Sequence, residues 1–585
     1  MAQRYAAAFM LCLFFATAQV TPVQGQDAVH APEAATGISE KGTSVASRHM
    51  VVAAHPLAAD AGREILRAGG SAVDAAIATQ LVLGLVEPQS SGLGGGAFIV
   101  HWDAANLDLK TYDGRETAPA AAKPDRLLRD GKPIAFDDAV RSGLSVGVPG
   151  VMRVLELAHQ RHGKLAWAKL FDPAIRLARD GFAMPERLHL LLKAEGPARF
   201  SSGARDYFFD AAGAPHAAGM LIKNTAYAET LATLAEKGAA AFYEGAIADA
   251  IVSAVAGAPA TMGDLTKADL KTYQAKERLP LCFSYRTRKI CGMGPPSSGA
   301  MTIAETLAMI EPLGGISGSF STMSVQALHI IAEAQKLSYA DRNRYLADPD
   351  FVSIPSGLLD AGYLGERRKL IDLRRAMAKP AAGLPPGLAK RSFGIDATVE
   401  RAGTSHISII DDQGNAIAMT TTIEGAFGSH LWAAGFLLNN ELTDFSFLPV
   451  DKDGIAVANR VEGGKRPRSS MSPTLVFDKS GALEIVTGSP GGSNIILYVT
   501  KTLVALIDWE KSAQEAAALP NFGSDGSVFQ FEDGASAFWP TLMLKTYGHE
   551  VVTGAMTSGL HTIVKRDGRL EGGADPRREG AALGD

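Results

Sequence analysis

The chain has 585 residues, 46% hydrophobic and 20% charged, with a mean hydropathy of +0.06; that globular composition, at a length sufficient for several domains, excludes collagen, coiled coil and wholesale disorder. Lysine and arginine total 57 against 62 acidic residues, so there is no basic footprint for nucleic acid or an anionic membrane. A small-molecule enzyme or a binding protein remains.

At the start of the chain, Arg4 precedes an apolar run from Ala6 to Ala18 and the small residue Gly25. This is the pattern of a signal peptide over residues 1–25, and it predicts export to a periplasmic or secreted location. The run is too short for a membrane anchor. No later segment carries about 18 uninterrupted apolar residues, since Ile495 to Ile507 is broken by Lys501 and Thr502, and no membrane span is expected in the mature form. An alanine-rich stretch over residues 26–50 reads as a disordered mature N-terminus.

Helical patterns then dominate. Leu57 to Arg67 stops at Gly69-Gly70, and Ser71 with Asp74 three residues on caps a second helix through Val86. Further helices fit Val151–His159, Pro173–Arg179, Tyr227–Glu236, Ile303–Ile310 and Val325–Tyr345. Of the 3 cysteines, Cys12 leaves with the signal peptide. Cys282 and Cys291 fall opposite each other if their segment is a hairpin turning at Arg286-Thr287. A cross-strand disulfide there competes with two free, buried thiols. Leu384-Pro385-Pro386-Gly387 and the polar residues up to Gly403 read as an exposed connector.

Beyond Gly403 the hydrophobic period shortens towards 2. Ile407–Ile410 and Ala416–Thr422 make one hairpin, Thr474–Phe477 and Leu483–Thr487 another, and a helix follows from Asn494 to Leu506. This order predicts layered sheets enclosed by helices. Several familiar signals fail. There is no GxxxxGK[ST], HExxH or CxxC, and His159 with His162 reads as a solvated helix face. Gly143 to Gly147 matches GxSxG but lacks the preceding apolar strand and the directly following helix of a nucleophile elbow.

The informative pieces are Ser91-Gly92-Leu93-Gly94-Gly95-Gly96, Asp113-Gly114-Arg115-Glu116, Gly403-Thr404-Ser405-His406, Asn439-Asn440-Glu441-Leu442-Thr443-Asp444, Arg466-Pro467-Arg468-Ser469-Ser470 and Gly488-Ser489-Pro490-Gly491-Gly492-Ser493. In this order and spacing they resemble the gamma-glutamyltransferase (gamma-glutamyltranspeptidase, glutathione hydrolase) family from about Val51 to Pro576. The resemblance implies an α+β, four-layer αββα N-terminal-nucleophile hydrolase fold. It implies a precursor that cuts itself between Gly403 and Thr404 into a large subunit (51–403) and a small one (404–585), which stay together as a heterodimer. It further implies cleavage of the γ-glutamyl bond of glutathione or a related compound through a γ-glutamyl-threonine intermediate. The acyl group then passes to water or to an amino-acid or peptide acceptor, with no metal or organic cofactor.

Residue chemistry agrees with that reading. A threonine hydroxyl attacks poorly unless its proton is removed, and a free α-amine, with a reference pKa of about 7.7–8.0, removes it near neutral pH. Before scission that base is an amide, so maturation and activity are linked. By resemblance, Thr422, on the neighbouring strand of the expected hairpin, holds Thr404 in position. Gly491 and Gly492 precede a helix and offer backbone N–H groups to a developing oxyanion, about 2.7–4 kcal/mol per donor in a comparable hole. By resemblance, Arg115 clamps the donor's α-carboxylate through two parallel hydrogen bonds with Ser469 and Ser470 assisting, while Glu441 and Asp444 receive its α-ammonium. Glu424 stands where the family usually has asparagine, beside the ammonium site. Phe445 to Gly464 corresponds to the family's pocket-covering loop, here shortened and without tyrosine. Two alternatives compete: a cephalosporin or glutaryl acylase on the same scaffold, and an unprocessed, inactive binding protein.

Overall fold

Two antiparallel sheets of seven strands each form the centre of the molecule. In this computed structural model, which describes residue 35 and residues 37–318, 321–388, 393–398, 400–401, 403–526, 528–534 and 536–585, the strands are β1 (Ser44–Ala46), β2 (Met50–Ala53), β3 (Gly96–Asp103), β4 (Asp108–Gly114), β5 (Lys276–Arg278), β6 (Leu281–Tyr285), β7 (Arg288–Gly292), β8 (Thr404–Ile410), β9 (Ala416–Thr422), β10 (Thr474–Phe477), β11 (Leu483–Thr487), β12 (His561–Arg566), β13 (Arg569–Ala574) and β14 (Ala581–Gly584). The first sheet runs β14-β2-β8-β9-β3-β4-β5 and the second β1-β13-β12-β11-β10-β7-β6. The signal-peptide expectation for residues 1–25 lies outside the described residues.

The two-residue period of a strand explains the layering. Ile407 and Ile409 of β8, Ile417 and Met419 of β9 and Val51 of β2 share a core with helices α1 (Pro56–Arg67) and α2 (Ala72–Val86). Their neighbours Ile410, Ala416, Ala418, Met50 and Val52 point the other way and share a core with Leu475 and Val486 of the second sheet. The far face of that sheet, including Val476 and Ile485, packs with α3 (Gly299–Ile310), α4 (Val325–Tyr345) and α5 (Ile495–Ile507). The result is helix, sheet, sheet, helix, as the resemblance implied. Each fully buried isoleucine of β8 contributes about 1.5–3 kcal/mol relative to exposure. Both sheets interleave strands from before and after residue 404, so scission there leaves the two pieces bound by their shared ladders. Among the described residues no helix is long and apolar enough to cross a membrane.

Several expectations are corrected. The disorder expected over 26–50 does not extend to its end: Ser44–Ala46 pairs with Leu570–Gly572, and Met50 opens β2, because edge pairing there depends on partners more than 500 residues away. Strands β3 and β4 interrupt a region read as helical. β3 is buried on both faces, so it lacks the polar alternation that marks a half-exposed strand. His159 and His162 are half-buried rather than solvated: the Nε2 of His162 lies 2.6 Å from the Tyr112 hydroxyl, and its ring stacks on His101. The Ser145 hydroxyl donates to the Val140 and Ser142 carbonyls, a structural role that agrees with rejecting the elbow. Cys282 and Cys291 are cross-strand partners in the β6–β7 hairpin and are bonded to each other.

Candidate active site

The turn Asp411–Asn415 sets the position of the two threonines. Asp411 Oδ1 accepts the backbone N–H groups of Gln413 and Asn415 at 2.9 and 3.0 Å, which fixes the register of the β8–β9 hairpin. Counting back along the ladder, Thr404 and Thr422 are direct cross-strand partners. The Thr404 hydroxyl lies 3.2 Å from that of Thr422, which in turn donates to the Gly403 carbonyl oxygen at 2.8 Å and accepts from Glu424 N–H at 2.8 Å. The Gly403 oxygen also receives Ile423 N–H at 3.4 Å. Thus the carbonyl just before Thr404 already carries two donors aimed at the oxygen on which charge develops during attack. Sequence reading did not find this second donor, because a backbone N–H leaves no signature.

Glycines permit these approaches. A Cβ at Gly95 would stand 1.9 Å from the Thr422 carbonyl oxygen and one at Gly94 2.1 Å from that of Leu437, so the Ser91–Gly96 motif provides backbone contact. Asn439 ties this loop to the binding turn: its Nδ2 donates to Gly94 and Gly147, and its Oδ1 accepts Glu441 N–H at 3.0 Å. Glu441 and Asp444 then share one short helical turn. Gly491, at φ 140°, and Gly492, at φ 57°, lead into α5. A Cβ on Gly492 would reach within 2.7 Å of the Arg401 carbonyl, so this glycine packs on the segment before Thr404.

Thr404, Thr422, Glu424, Arg115, Glu441, Asp444, Ser469, Ser470 and Gly492 line one cleft of about 230 Å³, together with Glu400 and Arg401. Gly491 is adjacent to it in sequence. The Arg115 guanidinium pairs with Glu441 through Nη1 and with Asp444 through Nη2 at 2.6 Å; Nη2 also donates to the Arg468 carbonyl and Nε to that of Pro467. Ser469 holds the backbone: its carbonyl accepts Ser298 N–H and hydroxyl, each at 2.7 Å. Ser470 is bound to Glu400 and receives Arg342 Nη2 at 2.7 Å. Glu424 accepts Arg401 N–H at 3.2 Å and Asn440 Nδ2.

Burial dominates the protonation of these acids. It pushes Glu424 up to about 7 against the hydrogen bonds from Asn440 and Arg401, and Glu116 up to about 8 despite Arg115. Glu441 and Asp444 are likewise driven well above the carboxylate range by burial, with Arg115 opposing. Glu400 differs: burial raises it, but Arg342 and Arg468 outweigh that and hold it below its usual value. Glu116, Asn440, Glu400, Arg342 and Arg468 were not singled out from sequence. Glu400 is a correction to the exposed connector, being 4% exposed, because guanidinium groups from α4 and from the Arg466–Ser470 segment neutralise it.

The αββα layering with a threonine at the head of a central strand is the fold of the N-terminal-nucleophile hydrolases. A family model described as Gamma-glutamyltranspeptidase matches residues 58–585. The glutathione hydrolase proenzyme of Escherichia coli (strain K12) is 36% identical over 91% of this chain and 91% of its own, and that of Bacillus subtilis (strain 168) 34% over 93% and 92%. The crystal structure of cephalosporin acylase from Bacillus halodurans superposes with a TM-score of 0.81 at 25% identity, covering 95% of this chain and 99% of that one. The chain belongs to the gamma-glutamyltranspeptidase family.

Proposed function

We propose that this chain is the precursor of an exported γ-glutamyl hydrolase and transferase that cuts itself before Thr404. The observation that carries the reading is the Thr404 hydroxyl beside the Thr422 hydroxyl, which is itself bonded to the Gly403 carbonyl oxygen. The Thr404 oxygen attacks the Gly403 carbonyl carbon while Thr422 and Ile423 N–H stabilise the oxyanion. The C–N bond breaks, the nitrogen takes a proton, and an ester remains that water hydrolyses. The products are a large subunit ending at Gly403 and a small subunit whose new α-amine sits beside its own hydroxyl.

In the mature enzyme the amine takes the Thr404 proton as its oxygen attacks the γ-carbonyl of glutathione or a related donor. Gly491 and Gly492 supply N–H groups to the oxyanion, and the leaving amine departs protonated. Water or an acceptor amine then releases the acyl group from the threonine ester. Glu441, Asp444 and Glu424 hold the donor's ammonium, while Arg115, with Ser469 and Ser470 assisting, takes its α-carboxylate. Export is supported by the leader-like residues 1–25 and by the Cys282–Cys291 bond, which persists in oxidising compartments.

A glutaryl or cephalosporin acylase is the second reading, favoured by the likeness to the Bacillus halodurans enzyme. Its acyl group lacks an ammonium and would leave Glu441, Asp444 and Glu424 with no cation from the donor beside the single guanidinium of Arg115. A donor screen decides: turnover of γ-glutamyl-p-nitroanilide, accelerated by glycylglycine if transfer competes with water, with no turnover of glutaryl-p-nitroanilide, is the expected result. The reverse preference establishes the acylase.

A further inference from the structure

Helix α6 (Phe538–Thr546) turns apolar side chains away from the protein. Leu544 is its buried side chain, whereas Phe538 and Trp539 are 74% and 62% exposed, and Leu542, one turn on from Phe538, is 46% exposed. Adjacent aromatic rings left in water forgo the burial that ordinarily places them in a core, so a patch of this kind marks a contact surface. A loop from the large subunit lies against the end of the same helix. Ala376 N–H donates to the Tyr547 carbonyl at 2.7 Å; His329, whose ring meets that of Tyr547 edge to face, has its Nε2 2.7 Å from the Asp372 carbonyl oxygen. Leu373, Arg374 and Arg375, all exposed, are held between those two contacts. The near balance of charge over the whole chain hides a local excess here. Arg374, Arg375 and the exposed Lys545 of α6 have no ion-pair partner among the described residues. Asp372, the acid of the loop, turns Oδ1 onto the backbone N–H groups of Arg374 and Arg375, at 2.8 and 3.1 Å.

We infer that α6 and the Leu373–Arg375 loop form a peripheral docking surface for a bilayer that contains anionic phospholipid. Phe538, Trp539 and Leu542 enter the boundary between headgroups and acyl chains, where an indole ring buries its apolar body and keeps its N–H hydrated. Arg374, Arg375 and Lys545 meet the lipid phosphates, each adding about fivefold in affinity near an anionic surface. A second copy of the chain fits this patch less well, because a two-fold contact through it sets the same cations against one another. The surface is remote from the nucleophile. Along α4, about 20 Å of helix separates His329 from Arg342, which donates to Ser470 of the Thr404 cleft.

Vesicle flotation tests this on the protein purified from cells, with intact mass establishing that wild type and variants share the same ends. Vesicles of phosphatidylcholine are compared with vesicles that also contain phosphatidylglycerol. Binding to the mixed vesicles at low salt is expected, with weak binding to phosphatidylcholine alone and loss at high salt. Phe538→Ser combined with Trp539→Ser should weaken partitioning about tenfold or more on the mixed vesicles. Arg374→Gln combined with Arg375→Gln should weaken it about 30-fold there, with little change on phosphatidylcholine. Far-ultraviolet circular dichroism matching the wild type shows that both double variants fold. No binding of the wild type to the mixed vesicles, or equal binding by all three proteins, overturns the proposal. So does a wild-type dimer in sedimentation velocity that the Phe538→Ser, Trp539→Ser variant converts to monomer, because the patch then belongs to a second copy.

Discussion

The two walls of the Thr404 cleft balance buried charge differently. Around Arg115 stand four carboxyl groups, Glu116, Glu424, Glu441 and Asp444, all driven towards the neutral form by burial. Around Glu400 stand two guanidinium groups, and the carboxylate between them is held ionised. A surface pair would be worth about 0–1 kcal/mol and would teach little. Buried charges cost several kcal/mol each when unpaired, so four acids around one guanidinium suit a further cation, whereas Glu400 and Asp396 balance Arg342 and Arg468. One wall therefore suits an ammonium, and the other is already neutralised from within the chain, with Thr404 between them.

The largest effect should come from removing the group both walls serve. Thr404→Ala should stay a single chain on a denaturing gel and lose about 10⁴-fold or more in turnover, because both attacks use one oxygen; normal splitting in this variant would falsify the assignment. Arg115→Ala breaks the balance of the acid wall. It leaves Glu441 and Asp444 without their cation, and should still split yet lose about 100-fold or more in kcat/KM, in line with the roughly 3–5 kcal/mol cost of orphaning one side of a buried pair. Unchanged kinetics remove Arg115 from the site.

Proton uptake sharpens the contrast further. The Glu424 pKa is raised from 4.5 to about 7, so the folded protein binds the extra proton. Its contribution therefore weakens the fold as pH rises from about 4.5 to about 7, the reverse of a salt-bridged carboxylate. Ammonium binding needs the ionised form. Donor KM should fall as pH climbs through that window, by up to about tenfold per unit, and level off above it. Glu424→Gln should flatten the profile; an unaltered profile assigns the titration elsewhere. The smallest effect lies outside both walls. Changing Cys282 and Cys291 together to serine should lower unfolding stability by about 2 kcal/mol through the closed loop of the β6–β7 hairpin, without altering KM.

Much of the acid wall was legible in the sequence. Glu441 and Asp444 sit in one short motif, and the Thr404–Thr422 pairing follows from counting outward from the Asp411–Asn415 turn. The helices with strong caps, such as Ser71 with Asp74, were also legible, because their signals are local. The wall around Glu400 was not. Glu400 meets Arg342 58 residues away and Ser470 70 residues away, and its polar, proline-flanked surroundings read as solvent-exposed. Composition reports exposure only when no distant partner neutralises the charge. Strand β3 failed for a related reason: with both faces covered, its residues show neither period.

The most direct test is the N-terminal sequence of the smaller polypeptide from catalytically active protein. The account predicts Thr404-Ser405-His406. Activity residing in an unsplit chain, or in a polypeptide that starts anywhere else, contradicts it.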